Sequence, residues 1–493
     1  MNHNQGLMKR ERRSLMVKEK NIIRMQGLGF LEKKQSGLRI LHVKGTAYER
    51  GYQHGTLLAD QIEECLKPGI TMYALSLGRP WGQLEGGDYE KGIKQLFEIK
   101  EAMEPWVPPN IKGELHGIAD ALSAKGSNIT YDDILLWNIG VDADLFFFHP
   151  KSALMDKPGF RTPYPAVACT TFCAFGKATS DGRIIYFKNN DFLSTPEAEE
   201  NVYVMIAKPT DGNHGYFVPI LPGLLGIESG MNDAGICFGI NYSGTQPETP
   251  QGIGLCFRSE LFLRFLSNIE DGISLANNYP RTGGALYHLA DPSASKAIII
   301  ETTPNEIAVR STTETDRDIL WASNHFNCYP GWQGYKGYNM VTNQAKAYGL
   351  DDISTVDKWQ ESLEKCFLEE GSVGRYARLK QLLNENYGKI TVEKALEIGG
   401  DRYDLKTKKL IGVEELYGFT TVSQFVAKSF QVVDSILYYK GVIKGPVRES
   451  IGNLWSWLAV PDRGDIWLAD GPIPANRGEF HYFNLFDELE SGK

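Results

Sequence analysis

Cysteine is scarce in this sequence, which has seven cysteines among 493 residues. Their number is odd, they are scattered, and no two form a C-x-x-C pair. We therefore expect no disulfide framework and no cysteine-rich metal site. Few and unpaired cysteines are typical of a reducing compartment, so the expected location is cytoplasmic.

Positive charge and long apolar runs are also in short supply. Lys and Arg number 52 against 61 Asp and Glu, and the resulting net charge of −9 argues against a nucleic-acid-binding protein. No apolar run approaches the roughly 18 residues of a membrane span. The basic N-terminus lacks an apolar core, so we expect no signal peptide and predict that residues 1 to about 30 form a flexible basic arm.

Signatures of several other enzyme classes are absent. The sequence contains no H-E-x-x-H, no G-x-S-x-G and no Walker A motif. No carboxylate-rich loop indicates a metal, and the acidic residues form no pattern typical of a glycosidase pair. We therefore expect neither a metal nor another cofactor.

Helical patterns dominate the first third of the chain. Apolar residues recur at three- or four-residue spacing from Tyr48 to about Leu77, where Pro68 is expected to end or kink the helix. Further helices are predicted from Asp88 to about Met103, from near Asn110, and after Thr130 to about Leu145. From Ala166 the pattern changes to short β-rich runs and turns, which predicts an α+β protein.

The segment from Ala166 to Ser194 carries the densest set of reactive and polar side chains. Two β-rich runs flank a turn at Asp181-Gly182, so a hairpin is predicted. Such a hairpin brings Cys169 back beside residues 189–191, which are two asparagines and an aspartate. A thiol with amide and carboxylate neighbours is typical of a nucleophile site.

Five segments carry recognisable motifs in a fixed order. They are G-x-x-Y-E-x-G-x-Q-x-G at 45–55, E-x-x-G-I-A at 114–119, Cys169-Thr170-Thr171, N-x-D-F at 189–192, and G-x-N-x-x-G at 230–235 followed by Asn241. Together they resemble the isopenicillin N acyltransferase-like family of self-cleaving N-terminal nucleophile (Ntn) hydrolases. Wider relatives are the choloylglycine hydrolases and acid ceramidase.

The resemblance implies a four-layer αββα sandwich with a mostly helical N-terminal segment. It also implies self-cleavage between Ala168 and Cys169. Residues 31–168 would become a helical α chain, or pro-segment, that packs on the core and stays associated with an Ntn-hydrolase β chain of residues 169–493. The expected substrate is a small-molecule acyl amide with a linear C–N bond, and the sequence leaves a homo-oligomer open.

Cys169 is the predicted nucleophile. A cut before it would free its α-amino group, whose reference pKa is about 7.7–8.0 and which can act as the base for the thiol. The acyl thioester on Cys169 would then pass its acyl group to water or to an amine. Cys173 is the alternative nucleophile and is expected on the strand face opposite Cys169, while an inert buried cysteine is the structural alternative for both.

Most of the other site residues are carried over from the family, whereas Phe146 belongs to an aromatic run, 146–148, that could line an acyl pocket. Their predicted roles are orientation of the amino group (Asp191), oxyanion contacts (Asn241 and Asn324), a positive charge near the nucleophile (Arg375) and substrate binding (Lys188, Thr170 and Phe146). Choloylglycine hydrolases place arginine where this chain has Lys188, so a solvated lysine at the strand end remains an alternative. A turn role for the asparagines and Asp191, an exposed Arg375 and a core Phe146 remain alternatives as well.

Two further functional hypotheses stay open. A lipid amidase or phospholipase B-like hydrolase would use the same nucleophile, although those enzymes usually carry N-T-W where this chain has Asn189-Asn190-Asp191. A non-catalytic protein that binds an acylated ligand would not be labelled covalently at Cys169 by an acyl electrophile.

Overall fold

Two stacked β-sheets lie at the centre of this fold. The structure, a computed structural model, describes residues 20–78, 87–148, 167–226, 228–243, 248–311, 317–326, 371–404, 408–410, 430–433, 437–438, 440–442 and 447–490. Within these residues the first sheet has ten strands, in the spatial order β1 (Ile22–Gln26), β2 (Gly29–Lys33), β3 (Arg39–Gly45), β6 (Tyr203–Pro209), β7 (Tyr216–Ile220), β8 (Ser229–Asn232), β9 (Cys237–Tyr242), β10 (Ala285–Asp291), β11 (Lys296–Thr302) and β12 (Ile307–Ser311).

The second sheet contains the predicted hairpin. Its strand order is β13 (Ile319–Ala322), β4 (Val167–Ala174), β5 (Ile185–Ser194), β19 (Val447–Val460), β20 (Asp465–Ala469) and β21 (His481–Asn484), and β16 (Phe430–Val433) also pairs with β19. Two short strand pairs lie outside both sheets: β14 (Tyr403–Asp404) with β15 (Lys409–Leu410), and β17 (Leu437–Tyr438) with β18 (Gly441–Val442).

Helices make up most of the described residues before β4 and also occur after it. The helices are α1 (Ala47–Leu57), α2 (Ala59–Gly78), α3 (Tyr89–Met103), α4 (Pro109–Ala124), α5 (Tyr131–Phe148), α6 (Pro196–Glu200), α7 (Leu255–Phe265), α8 (Ile269–Asn278), α9 (Gly371–Glu385), α10 (Val392–Gly399) and α11 (Leu485–Glu490). None of the helices in the described ranges is long and apolar enough to cross a membrane.

The two sheets face each other and helices cover their outer faces. Helices α1, α7 and α8 pack on the first sheet, α9 and α10 pack on the second, and β4 packs across the interface on β9. Strands β7, β9 and β10 are buried at every position, as expected for strands covered on both faces. The predicted α+β class and αββα layering are therefore confirmed.

The glycines of the first motif allow α1 and α4 to pack backbone against backbone. A Cβ atom on Gly51 would lie 1.9 Å from the carbonyl oxygen of Glu114, and one on Gly117 would lie 2.3 Å from that of Tyr48. Only glycine fits such an approach. A fully buried ion pair of 2.7 Å between Arg50 and Glu114 joins the same two helices, so these two motifs serve helix packing.

Two predictions about the N-terminal third need correction. The basic arm was expected to reach about residue 30, but residues 22–26 and 29–33 pair as β1 and β2, and the apolar Phe30 and Leu31 of β2 are buried on its two faces. Residues 1–19 lie outside the described part of the chain. The long helix is interrupted at Leu58, whereas Pro68 lies within α2.

Candidate active site

The hairpin of β4 and β5 places Cys169 as the sequence predicts. The two strands are antiparallel, with Cys169 opposite Asn190 and Ala168 opposite Asp191. The bond between Ala168 and Cys169 therefore lies inside the continuous strand β4. At these two residues β4 is paired with β5 on one side only, because its other neighbour, β13, pairs with residues 171–174.

The thiol of Cys169 faces the first sheet. It is fully buried, and its Sγ atom lies 3.3 Å from Oε2 of Glu228 and 3.8 Å from Oδ1 of Asn190. Burial and the nearby Glu228 carboxylate raise the pKa of the Cys169 thiol, whereas Lys188 acts in the opposite direction. The thiol therefore holds its proton unless a neighbouring group accepts it.

The backbone of Cys169 is held by two of the predicted site residues. Its nitrogen donates to Oδ1 of Asn324 at 2.8 Å, and its carbonyl oxygen accepts from Nη1 of Arg375 at 2.5 Å. Arg375 also donates to Thr170 Oγ1 at 3.1 Å and to Asn324 Oδ1 at 2.8 Å. Arg375 is buried, so the alternative of an exposed arginine is wrong.

The positions of Asn324 and Arg375 are linked through the start of α9. Asn324 lies two residues after the end of β13, and its backbone nitrogen donates to Oγ of Ser372 at 2.8 Å. Ser372 and Arg375 lie in the first turn of α9. The start of α9 thus holds the segment that follows β13 and also places the guanidinium group of Arg375 beside Cys169.

Lys188 extends from β5 toward the first sheet. Its Nζ atom donates to the carbonyl oxygen of Ile240 at 2.6 Å and to Oδ1 of Asn241 at 2.9 Å. Lys188 is fully buried, so the alternative of a solvated lysine is wrong. Gly239 makes room for the neighbouring Tyr186, because a Cβ atom there would lie 2.4 Å from the Tyr186 hydroxyl.

The side-chain amide of Asn241 does not have the orientation that the predicted oxyanion contact requires. Its Nδ2 atom donates to the carbonyl oxygens of Ala322 at 3.2 Å and Ser323 at 2.9 Å, while its oxygen accepts from Lys188 and from Thr171. Both hydrogens of this amide are thus directed at backbone carbonyls. In the unbroken chain Asn241 connects β9 to β13 and does not present a donor to an oxyanion.

Asp191 is buried on β5 and accepts a hydrogen bond from Nδ2 of Asn453 at 3.0 Å. The nitrogen of Cys169 donates to Asn324 instead. In the unbroken chain Asn324 therefore takes the orienting position that was predicted for Asp191. Phe146 lies within α5, but its side chain is outside the described part of the structure, as is that of Ala168.

The predicted orientation of Cys173 is wrong. Side chains two residues apart on a strand share a face, so Cys169, Thr171 and Cys173 all point toward the first sheet. Cys173 packs among apolar side chains, and burial alone raises the pKa of its thiol. It lacks the polar contacts of Cys169, and this favours Cys169 as the nucleophile.

The residue patterns predicted that Asn190 would lie near Cys169, but they did not indicate Glu228. Glu228 precedes β8, is fully buried, and adopts a left-handed backbone conformation with φ of +63°. That conformation costs a residue other than glycine about 1–2 kcal/mol. Burial raises the pKa of Glu228 and Lys188 opposes the rise. The available signal was a single acidic residue in the apolar and small-residue segment 224–231.

A group of metal-ligand side chains lies elsewhere, on the N-terminal strands and α11. Glu32, His42 and Glu488 bring their ligand atoms within 4.8 Å of one another. The ammonium group of Lys34 lies 2.8 Å from Glu32 and 2.7 Å from Glu488, and that of Lys20 lies 3.1 Å from Glu488. Two cations already neutralise the carboxylates, so the cluster is an ion-pair network.

Comparison with known proteins gives both sequence and structural similarities. An Archaeoglobus fulgidus protein described as uncharacterized is 25% identical over 379 residues, which are 75% of this chain and 59% of that protein. A mutant of conjugated bile acid hydrolase from Clostridium perfringens has a TM-score of 0.33 and 12% identity, covering 65% of this chain and 93% of that one. Penicillin V acylase from Agrobacterium tumefaciens has a TM-score of 0.33 and 12% identity, covering 64% of this chain and 86% of that one.

A family model described as acyl-coenzyme A:6-aminopenicillanic acid acyl-transferase matches residues 178–412. This segment begins after Cys169 and contains Lys188, Asp191, Asn241, Asn324 and Arg375. Residues 178–412 are thus similar to that acyl-transferase family, which confirms the resemblance to isopenicillin N acyltransferase-like proteins that the sequence motifs indicate.

Proposed function

We propose that this chain is a self-processing Ntn hydrolase or acyltransferase that cleaves linear amides with Cys169 as its nucleophile. The observation that carries the proposal is the set of contacts around Cys169. Its thiol lies against Glu228 and Asn190, while its nitrogen and carbonyl oxygen are held by Asn324 and Arg375. A buried cysteine with a purely structural role has no need of polar groups on the thiol and on both sides of its backbone.

Cleavage between Ala168 and Cys169 would produce the mature site. The free α-amino group then takes the thiol proton, and the thiolate attacks the carbonyl carbon of the substrate amide. The departing amine receives that proton, which leaves an acyl thioester on Cys169. Water or a second amine attacks the thioester, gives its proton to the α-amino group and releases the thiol.

The negative oxygen formed in both attacks needs hydrogen-bond donors. Asn190 is the amide best placed for this role: its carboxamide lies beside Sγ, and its Nδ2 atom has no hydrogen-bond partner in the described part of the chain. A donor without a partner is ready to bind charge that develops in the transition state. Arg375 and Lys188 add positive charge on either side, and Thr170 and Phe146 remain proposed substrate contacts.

The proposed substrate class is an N-acyl amide of a small molecule. The acyl-transferase family match supports amide chemistry in general, and the acyl and amine groups are to be found by assay. A suitable panel combines several acyl chain lengths on simple amines with one acylated 6-aminopenicillanic acid.

Intact mass spectrometry of wild type, Cys169→Ala and Cys173→Ala tests this proposal. We expect two chains of residues 1–168 and 169–493 in wild type and in Cys173→Ala, and one uncut chain in Cys169→Ala. Only cut proteins should hydrolyse the amide panel. A wild type that stays uncut after long incubation would overturn the self-processing mechanism and favour the ligand-binding hypothesis.

A further inference from the structure

Glu228 is the acidic side chain in direct contact with the nucleophile. Its Oε2 atom lies 3.3 Å from Sγ of Cys169, and its carbonyl oxygen accepts from the nitrogen of Ile240 at 2.6 Å. The other carboxylate oxygen, Oε1, is buried and has no hydrogen-bond partner in the described ranges. The carboxylate is therefore fixed against the thiol and keeps one oxygen available for a proton.

The unbroken chain needs a base different from that of the mature enzyme. Before cleavage the nitrogen of Cys169 is an amide that donates to Asn324, so it cannot accept the thiol proton. Among the described residues, Sγ also lies near the amide oxygen of Asn190, which is not basic, and near Lys188. The ammonium group of Lys188 already donates to the carbonyl oxygen of Ile240 and to Asn241.

We propose that Glu228 is the general base of the first step of self-cleavage. This inference rests on the proposed function, because it assigns a base to the cleavage reaction assumed there. It concerns the unbroken chain, whereas the α-amino group of Cys169 is the base after the cut.

Self-cleavage would consist of an acyl shift from nitrogen to sulfur, followed by hydrolysis of the thioester. Glu228 takes the proton from Sγ, and the thiolate adds to the carbonyl carbon of Ala168. The C–N bond to Cys169 then breaks, and the protonated Glu228 returns the proton to the departing nitrogen. Water attacks the resulting thioester, which yields the carboxylate of Ala168, the thiol of Cys169 and a released proton.

The backbone of Glu228 supports a functional role. At φ of +63° glycine would be relaxed, yet this position carries a long acidic side chain. Strained residues at such positions are concentrated in functional sites. Burial also raises the pKa of the Glu228 carboxyl group, which makes its anion a stronger base toward the thiol.

The test follows the rate of self-cleavage of full-length protein by intact mass. Glu228→Gln should cleave at least about 100-fold more slowly than wild type, since general bases contribute factors of about 100 to 10,000. Glu228→Asp keeps a carboxylate and should recover part of the rate. Glu270→Gln is the control and should cleave at the wild-type rate, because Glu270 is exposed in the first turn of α8.

Two measurements separate a lost base from a misfolded site. The uncut Glu228→Gln and Cys169→Ala proteins are compared in thermal unfolding, where similar midpoints are expected. Hydroxylamine, which cleaves thioesters, is added to Glu228→Gln and should not restore cleavage if the acyl shift itself is blocked. Restored cleavage, or a Glu228→Gln rate within threefold of wild type, would overturn the role of Glu228. A wild type that never cleaves would instead overturn the proposed function.

Discussion

The carboxamide oxygen of Asn324 accepts a hydrogen bond of 2.8 Å from the backbone nitrogen of Cys169. The same oxygen accepts from Arg375, and the Nδ2 atom of Asn324 donates to the carbonyl oxygen of Tyr242 at 2.7 Å. Cleavage would change the nitrogen from an amide to an amine without removing this acceptor. Asn324 is thus placed to orient the amine lone pair toward the thiol.

Replacing Asn324 with alanine should slow amide hydrolysis. Loss of a buried hydrogen-bond partner costs about 1–3 kcal/mol, so we expect kcat/KM to fall about 5- to 150-fold. Steady-state hydrolysis by the cut protein measures the effect. Asn277→Ala on the exposed side of α8 is the control and should match wild type. A loss no larger than that of the control would contradict an orienting role for Asn324.

Replacing Lys188 with methionine should move the pH profile of activity to higher pH. Lys188 lowers the pKa of both the Cys169 thiol and Glu228, so its removal raises both. The rising limb of kcat/KM should therefore move to higher pH, as measured across pH 5 to about 10. Loss of this buried hydrogen-bond donor should also lower the free energy of unfolding by about 1–3 kcal/mol. Lys177→Met, on the exposed turn of the same hairpin, should change neither property.

The N-terminal ion-pair network should make stability depend on pH. Hydrogen bonds from His42 and Lys34 outweigh burial and lower the pKa of Glu32 from 4.5 to about 2. Its stabilising effect is therefore complete above about pH 4.5 and is lost as the pH falls toward 2. Glu32→Gln should lower the free energy of unfolding by about 2 kcal/mol at pH 7, and the difference should shrink in urea melts at pH 4 and 3. If the difference is constant with pH, or if exposed Glu270→Gln shows the same loss, this interpretation is wrong.

Two glycines of α4 should respond oppositely to alanine. A Cβ atom on Gly117 would meet the backbone of α1, whereas one on Gly113 would lie 3.7 Å from Ala47 Cβ, an ordinary contact. We expect Gly117→Ala to lower the free energy of unfolding by about 1–3 kcal/mol. Gly113→Ala should be neutral or raise it by up to about 1 kcal/mol, because alanine favours a helix. Denaturant unfolding of both variants checks this contrast, and equal effects would refute the packing argument.

The hairpin that carries Cys169 could be predicted because its signals are local. Two apolar runs and an Asp-Gly turn fix the pairing of β4 with β5, so the meeting of Cys169 with residues 189–191 follows. The layering of two sheets between helices came from the family resemblance, whereas the pairing of β3 with β6 was not predicted, since no local pattern shows it. Strands β1 and β2 were not predicted because their apolar runs are short and directly follow the basic residues 1–20, which resemble an unstructured terminus.

Details inside the site could not be read from the sequence. The contact of Glu228 with Cys169 joins the two sheets, and no motif records which residue of one sheet reaches across to the other. The orientation of the Asn241 amide depends on carbonyl groups at the end of β13, far away in sequence. The prediction for Cys173 was wrong because the alternation of side chains along β4 was counted incorrectly. Residues 169 and 173 are four apart on one strand and therefore lie on the same face.

The parallel pairing of β3 with β6 has a consequence for how the protein assembles. Residues 40–45 pair with residues 204–209, so one sheet takes strands from both sides of the proposed cut. A cut chain could not come apart into two folded bodies, because either half alone would expose the edge of that sheet. Unfolding of the uncut protein would be independent of protein concentration, whereas refolding of the cut protein would be a bimolecular association. Cleavage would thereby convert a folding reaction into an encounter between two polypeptides.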